Sequence, residues 1–162
     1  MNERGPHPPS AVAPSLRLGL EALHSRHPLK AMAHFEALLR RARHQPDHSL
    51  EAVSLSYYGL ALALHAPQRR DALAYCERAV QFEFFNPDLY LNLARVQLIH
   101  GNRMRAYEAI LRGLSLCANH PGLLRQLHRR LGTRRISLVP FLQRAHPLNV
   151  FFGRLRQRLL PA

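Results

Sequence analysis

The sequence predicts an all-α protein built from pairs of helices that recur along the chain. Apolar residues follow the 3.6-residue period of an amphipathic helix in one segment after another of the 162-residue sequence. Glycine or proline interrupts these segments, as at Gly101-Asn102 and Ala66-Pro67. A third regularity is an alanine in each second helix that a proline follows after 15 residues, at Ala31 and Pro46, Ala72 and Pro87, and Ala106 and Pro121. Three copies of one helical unit are therefore expected over residues 12–121.

The third unit, which ends at Pro121, shows the pattern best. One apolar stripe precedes the Gly101 turn, and a second begins at Ala106. Small residues occupy the positions where the two helices of a hairpin approach closely. The pattern consists of Tyr90, Leu93, Ala94, Gly101, Ala106, Ile110 and Gly113.

This 34-residue spacing resembles a tetratricopeptide repeat. A single hairpin cannot bury its own apolar face, so the resemblance implies stacked neighbours that form an α-α superhelix, or solenoid. Matching residues are present upstream, at Leu55, Tyr58, Gly59, Leu62, Ala72, Cys76 and Ala79 in the second unit and at Leu18, Gly19, Ala22, Ala31, Phe35 and Leu38 in the first. The expected fold is a tetratricopeptide-like solenoid of three helical hairpins, followed by a capping helix and a C-terminal amphipathic helix.

The helix bounds follow from the prolines and the loop residues. Before the third unit the expected helices are 15–24, 28–43, 49–65 and 69–85. Pro28 suits the first turn of a helix, where a missing N–H costs nothing. After Pro121 a capping helix at 123–131 is expected to cover the last apolar face with Leu124, Leu127 and Leu131, and to end at Gly132.

The chain divides into three parts by composition. Residues 1–13 are proline-rich and polar and are expected to be disordered, 14–132 form the helical repeat domain, and 133–162 form a basic segment. In this last part Pro147 opens an amphipathic helix whose polar side carries arginines. Three roles are open for that helix: folding back onto the solenoid as a cap or plug, docking into a partner, or lying on an anionic membrane surface.

Charge is distributed unevenly along the chain. The formal net charge is +13, all ten acidic residues lie at or before Glu108, and ten arginines follow that position. No run of 18 apolar residues predicts a transmembrane helix, and the N-terminus lacks the apolar core of a secretory signal. Cys76 and Cys117 fall in predicted helices and are expected to be small core residues in a reducing compartment, so we expect a cytoplasmic location.

Catalytic chemistry is not indicated. The sequence has no nucleophile elbow, phosphate-binding glycine loop, zinc-protease helix or paired-carboxylate signature. The pairs His24/His27 and His44/His48 have helical spacing, but they lie at predicted helix ends beside prolines and lack further ligands. We therefore expect a protein that is not an enzyme and that uses no cofactor and no metal.

Binding is the expected activity. In tetratricopeptide arrays the first helices line a concave groove, and the resemblance places Ser56, Leu60, Ala63, Leu64, Asn92, Arg95 and Ile99 in it. Asn92 could hydrogen-bond a ligand backbone and Arg95 could hold a carboxylate, although both could equally be solvated residues. The family's lysine/asparagine clamp for a terminal carboxylate is absent. The predicted partner is therefore an apolar peptide or helix of another protein, with or without acidic flanks. The predicted role is that of an adaptor, assembly factor or chaperone-like module.

Basic residues near the C-terminus support an alternative, which is peripheral binding to nucleic acid or to an anionic membrane. The predicted basic surface consists of Arg125, Arg129, Arg130, Arg134, Arg135, Arg154, Arg156 and Arg158. No aromatic residues interleave with the first five of these arginines, from Arg125 to Arg135, as a base-stacking platform would require. A separate aromatic group, Phe82, Phe84, Phe85 and Tyr90, is interpreted as packing between repeats, with an exposed anchor for a partner as the other interpretation.

Overall fold

The computed structural model describes residues 14–44 and 47–131. These residues form seven α-helices and no strand, so the predicted all-α class is confirmed for this part of the chain. The helices are α1 (Pro14–His24), α2 (Pro28–His44), α3 (His48–His65), α4 (Asp71–Phe82), α5 (Pro87–Ile99), α6 (Arg103–Leu116) and α7 (Pro121–Arg125), and α7 continues as a π-helical turn (Gln126–Arg130). The expected proline-rich tail 1–13 and the basic segment 133–162 with its amphipathic helix lie outside the described residues.

Side chains cap the helices that begin a new pair. Asp47 Oδ1 accepts a hydrogen bond from the backbone N–H of Leu50 at 3.0 Å, which starts α3. Asn86 Oδ1 caps α5 at 3.1 Å from the N–H of Asp88, and Pro87 follows as the first helical residue. His120 and Pro121 repeat this arrangement at α7. The regularly spaced prolines at 87 and 121 thus mark helix starts, where a missing N–H has no cost.

Consecutive helices pack as antiparallel pairs. In the pair α3/α4, the Cys76 thiol lies 3.4 Å from the carbonyl oxygen of Ser56, and the hydroxyl of Ser49 lies 3.4 Å from the Glu83 carboxylate. Later residues of α4 therefore lie beside earlier residues of α3. In the pair α5/α6, the Asn102 amide donates to Gln97 Oε1 at 2.9 Å across the turn.

Small residues allow the close approach within each pair. A Cβ atom built on Gly59 would lie 2.7 Å from the carbonyl oxygen of Ala72 and 2.8 Å from Cys76 Sγ. The twelve residues at the corresponding positions are all buried: Gly19, Ala31, Phe35 and Leu38 in the first pair, Gly59, Ala72, Cys76 and Ala79 in the second, and Ala94, Ala106, Ile110 and Gly113 in the third. These twelve predicted contact positions are confirmed as buried, whereas Leu18 and Gly101 of the same pattern are exposed.

The pairs also pack on one another. Helix α2 contacts α3, α4 contacts α5, and α3 contacts α5 directly. Phe35 and Ala61 share one buried cluster, and Ala79 and Leu89 share another. The core consequently continues from one pair into the next.

The C-terminal end differs in detail from the expected capping helix. Helix α7 begins at Pro121 rather than at residue 123, and its last turn widens so that the N–H of Leu131 bonds to Gln126 O at 3.3 Å. Leu123 and Leu131 are fully buried in a cluster with α5 and α6, and Leu127 packs against them. Leu124, expected on the same face, is not part of this cluster, because the π-helical turn shifts the register of the later residues.

Helix α4 is shorter than predicted. It ends at Phe82 instead of continuing to residue 85. Pro87 disfavours helical geometry at the residue before it, and Asn86 accordingly adopts an extended conformation as the cap of α5. The four residues between the helices, 83–86, are therefore a connection and not a last helical turn.

Candidate binding groove

The first helices of the three pairs line one cavity of about 570 Å³. Its wall is aliphatic along most of its length, with a tyrosine, a histidine, an arginine and a glutamine added. The contributions are Leu20, Leu23 and His24 from α1, Tyr57, Leu60 and Leu64 from α3, Leu91, Arg95, Leu98 and Ile99 from α5, and Gln126 from the π-helical turn. We call this cavity the groove.

Four of the seven residues predicted for the groove line it, namely Leu60, Leu64, Arg95 and Ile99. Ser56, Ala63 and Asn92 do not. Ser56 and Asn92 are 0% and 1% exposed, and the Asn92 amide donates to the Ser56 hydroxyl at 3.1 Å. The expectation that Asn92 faces a ligand is therefore wrong for this structure, because its polar group is used between α3 and α5.

The predicted set of groove residues did not include α1, although Leu20 and Leu23 form one end of the wall. The signal was present, since these two residues have the i, i+3 spacing of one helical face. The first unit matches the repeat pattern least well, so the resemblance places no groove residue on α1. Tyr57 was also absent from the predicted set, and it is held in place by stacking on Phe35 at 5.6 Å between ring centroids.

Arg95 is the cationic group of the groove wall. It is partly buried, and this burial lowers the pKa of its guanidinium, while Tyr57 and Asp88 act in the opposite direction and Arg125 in the same one. No carboxylate of residues 14–44 and 47–131 lies within ion-pair distance of Arg95. Burial, with a contribution from Asp88, raises the pKa of the neighbouring Tyr57, so this side chain stays neutral at physiological pH.

The aromatic segment after α4 is divided between core and surface. Tyr90 is buried, and its hydroxyl donates to the carbonyl oxygen of Phe84 at 2.9 Å. Phe84 and Phe85 are 66% and 61% exposed, so the interpretation that they pack between repeats is wrong. Phe82 lies against His48 and under the Arg78 guanidinium, which is 5.2 Å from its ring centroid. Tyr90 fixes the backbone of the connection while the two phenylalanines project outward.

The predicted basic surface is only partly within the described chain. Arg125 and Arg129 are exposed there. The side chain of Arg130, and Arg134, Arg135, Arg154, Arg156 and Arg158, lie outside the described residues. What the structure provides of this surface is therefore two exposed arginines near the end of α7.

Metal-binding and thiol groups do not add a further site in the part of the chain that is described. No three His, Cys, Asp or Glu side chains there are arranged to hold a metal ion. Cys76 is buried, as expected, and its pKa is raised to about 12 by that burial. Cys117 is exposed and lies just after α6, so its expected place in the core is wrong.

Comparison of the chain with known protein families, with curated proteins and with solved structures finds no match. None of the helices described is long and apolar enough to cross a membrane. A proposal for the function of the protein therefore rests on the chemistry of the groove. The groove offers an aliphatic surface shared by three helices and one partly buried cation.

Proposed function

We propose that the protein is a non-catalytic interaction module of the tetratricopeptide type, and that its groove binds an apolar segment of another protein. The observation that carries this proposal is the shared wall, since α1, α3 and α5 each contribute leucines to one cavity. Apolar surface that faces solvent and is continuous across parallel elements suits a helix or an extended peptide.

The repeat assignment is supported by the spacing of the buried contact positions. In the second helix of each pair, the intervals are four and then three residues, as in Ala31, Phe35 and Leu38 or in Ala106, Ile110 and Gly113. The preceding small residue of the first helix lies 12 or 13 residues earlier in every pair. Stacked units with one repeated contact pattern are what a superhelical solenoid requires.

A binding role is favoured over catalysis by the composition of the wall. Its residues from the described chain include no carboxylate, cysteine or serine that could act as a nucleophile. The ring nitrogen Nδ1 of His24 lies 2.8 Å from the carbonyl oxygen of Leu20, so this histidine is engaged with its own helix. We propose a cytoplasmic location with this role, because both cysteines are free.

Two leucines of similar exposure provide the test. Leu64 lines the groove and is 49% exposed, whereas Leu111 on α6 is 45% exposed and does not line it. Leu64→Glu places a charge on the groove wall, and Leu111→Glu is the matched control. We expect nuclease-treated native lysate to yield a discrete protein that is retained at moderate salt by the wild type and by Leu111→Glu, but not by Leu64→Glu.

The same experiment distinguishes the alternative of binding to nucleic acid or to an anionic membrane through the basic residues. Binding that depends on counterion release is lost steeply as salt rises, whereas apolar contacts are not. The groove proposal would be contradicted if the captured protein were lost at moderate salt and if neither leucine substitution changed its binding. That result would instead favour the surface that includes Arg125 and Arg129.

A further inference from the structure

Arg95 is the charged member of an otherwise aliphatic surface. Its neighbours along the wall on the same helix are Leu91, Leu98 and Ile99. The guanidinium is partly buried, yet no described carboxylate is close enough to form an ion pair with it. Burying an unpaired cation costs free energy, so Arg95 is unfavourable within the apolar surface around it.

No described group forms an ion pair with Arg95. Asp88, three residues before Leu91 on the same helix, raises the pKa of Arg95, but its Oδ1 lies 3.1 Å from Nε2 of His120 and its carboxylate is not within ion-pair distance of the guanidinium. Arg125 is close enough to lower the pKa of Arg95 by like-charge repulsion. Arg95 is therefore the one arginine of the described groove wall, and it has no carboxylate within ion-pair distance.

A ligand carboxylate would complete this environment. An arginine presents two parallel N–H groups that match the two oxygens of a carboxylate, and hydrogen bonds between charged partners are about twice as strong as neutral ones. Exclusion of water by an apolar ligand strengthens the pair further, because the local dielectric constant falls. An acidic group set within an apolar surface is thus what fits the groove.

We infer that the groove selects a partner segment that carries an Asp or Glu within its apolar face, and that this carboxylate pairs with Arg95. The inference rests on the proposed function and specifies the partner for it. Residues 132–162 of this chain contain no Asp or Glu, so their side chains cannot supply the carboxylate. Residues 1–13 contain Glu3 alone, and its neighbours Asn2 and Arg4 are polar, so it does not lie in an apolar face. Neither of these segments offers an acidic residue within an apolar face, and the proposed occupant is a segment of another protein.

A displayed library of random helical peptides tests the inference by letting the groove select its own ligand. The full-length wild type, Arg95→Glu, Arg95→Gln and Leu64→Glu are used for selection, with Arg112→Glu as the control because Arg112 is exposed on α6 and does not line the groove. Circular dichroism establishes which variants are folded, and Arg95→Gln carries the comparison if Arg95→Glu is not.

The wild type and Arg112→Glu are expected to enrich apolar peptides with an Asp or Glu at a constant position. Arg95→Glu is expected to enrich Lys or Arg at that position instead. By fluorescence anisotropy, the best wild-type peptide should bind Arg95→Gln about tenfold more weakly, which is the size of one charged hydrogen bond. Replacing the peptide's Asp or Glu by the corresponding amide should weaken its binding to the wild type. The same replacement should not weaken its binding to Arg95→Gln any further.

Two results would overturn the inference, and they differ in what they leave standing. Enrichment of apolar peptides without an acidic residue, bound by the wild type and not by Leu64→Glu, would refute the carboxylate and retain the groove. Failure to enrich any peptide whose binding depends on Leu64 would refute the groove itself, and with it the proposed function.

Discussion

The side-chain amide of Asn92 donates a hydrogen bond to the hydroxyl of Ser56 across 3.1 Å in the interior of the protein. Asn92 belongs to α5 and Ser56 to α3, so the bond joins the first helices of two successive pairs. It lies behind the groove wall rather than in it. Buried polar groups without such a partner are costly, and this contact therefore favours one register between the two pairs.

Asn92→Ala is expected to destabilise the protein by about 1–3 kcal/mol, because it removes a buried hydrogen bond and leaves the Ser56 hydroxyl without its donor. Urea denaturation followed by circular dichroism measures the change. Ser56→Ala and the double variant complete a mutant cycle, in which a coupling of about 1 kcal/mol is expected. Additive effects of the two single substitutions would contradict a direct interaction.

Gly59→Ala is expected to destabilise the protein by about 1–3 kcal/mol, because the added methyl group would collide with the Ala72 carbonyl oxygen and Cys76 Sγ. The direction of the change in stability is informative, because Gly→Ala inside a helix would otherwise stabilise the helix by up to about 1 kcal/mol. The denaturation midpoint gives the measurement.

Gly101→Asn is compared with this substitution, because any cost there comes from the backbone conformation and not from a collision. Gly101 has a φ of 79° and open space around its Cβ direction, and asparagine tolerates that left-handed conformation better than most residues. A Gly59→Ala variant as stable as the wild type would refute the close contact between α3 and α4.

The repeated helix pairs could be predicted from the sequence because their signals are local. The spacing from Ala72 to Cys76 to Ala79 is a helical face, and Pro87 is a helix start wherever the rest of the chain lies. Most of the predicted contact positions are therefore buried, with Leu18 and Gly101 as exposed exceptions. Four of seven groove residues were found for the same reason, since Leu60, Leu64, Arg95 and Ile99 follow from the period of two helices.

The errors concern features that depend on how the pairs rotate against each other. Asn92 is one helical turn from Arg95, and only the packing of α5 on α3 decides which of them faces the groove. Phe84 and Phe85 have the composition of core residues, but they lie in a connection whose path is set by the cap of α5. No local sequence pattern indicates which of Asn92 and Arg95 faces the groove, or that Phe84 and Phe85 are exposed.

The two thiols are expected to differ in reactivity. Cys117 is exposed, whereas Cys76 is fully buried with a pKa of about 12, and the thiolate is the reactive form. A thiol-specific reagent at neutral pH should therefore modify one cysteine of the native protein rapidly and the second only after denaturation. Cys117→Ser should abolish the rapid phase. Rapid reaction of both thiols in the native state would contradict the burial of Cys76.

The same burial predicts a loss of stability at high pH. Folding raises the pKa of Cys76 from 9.0 to about 12, so the unfolded chain releases this proton first as the pH rises. The stability that the protonated Cys76 thiol contributes to the folded state is fully present below pH 9. It declines as the pH rises from there toward 12. Tyr57 and Tyr58 also have raised pKa values, and Cys76→Ala should therefore remove only part of the decline in the free energy of unfolding. If the free energy of unfolding of Cys76→Ala declined with pH as steeply as that of the wild type, the raised pKa of Cys76 would be contradicted.

His120 joins the start of α7 to α5, and its removal should loosen the end of the helical array. Its Nδ1 accepts from the N–H of Leu123 at 3.2 Å, and Nε2 lies 3.1 Å from Asp88 Oδ1. His120→Ala should cost about 1 kcal/mol, the usual effect of losing a helix cap, while His120→Asn retains a capping acceptor and should lose less. Because Leu123 is fully buried under this cap, its amide should exchange faster with solvent in the alanine variant. Equal stability and equal exchange in the two variants would mean that the cap is not what holds α7 against α5 and α6.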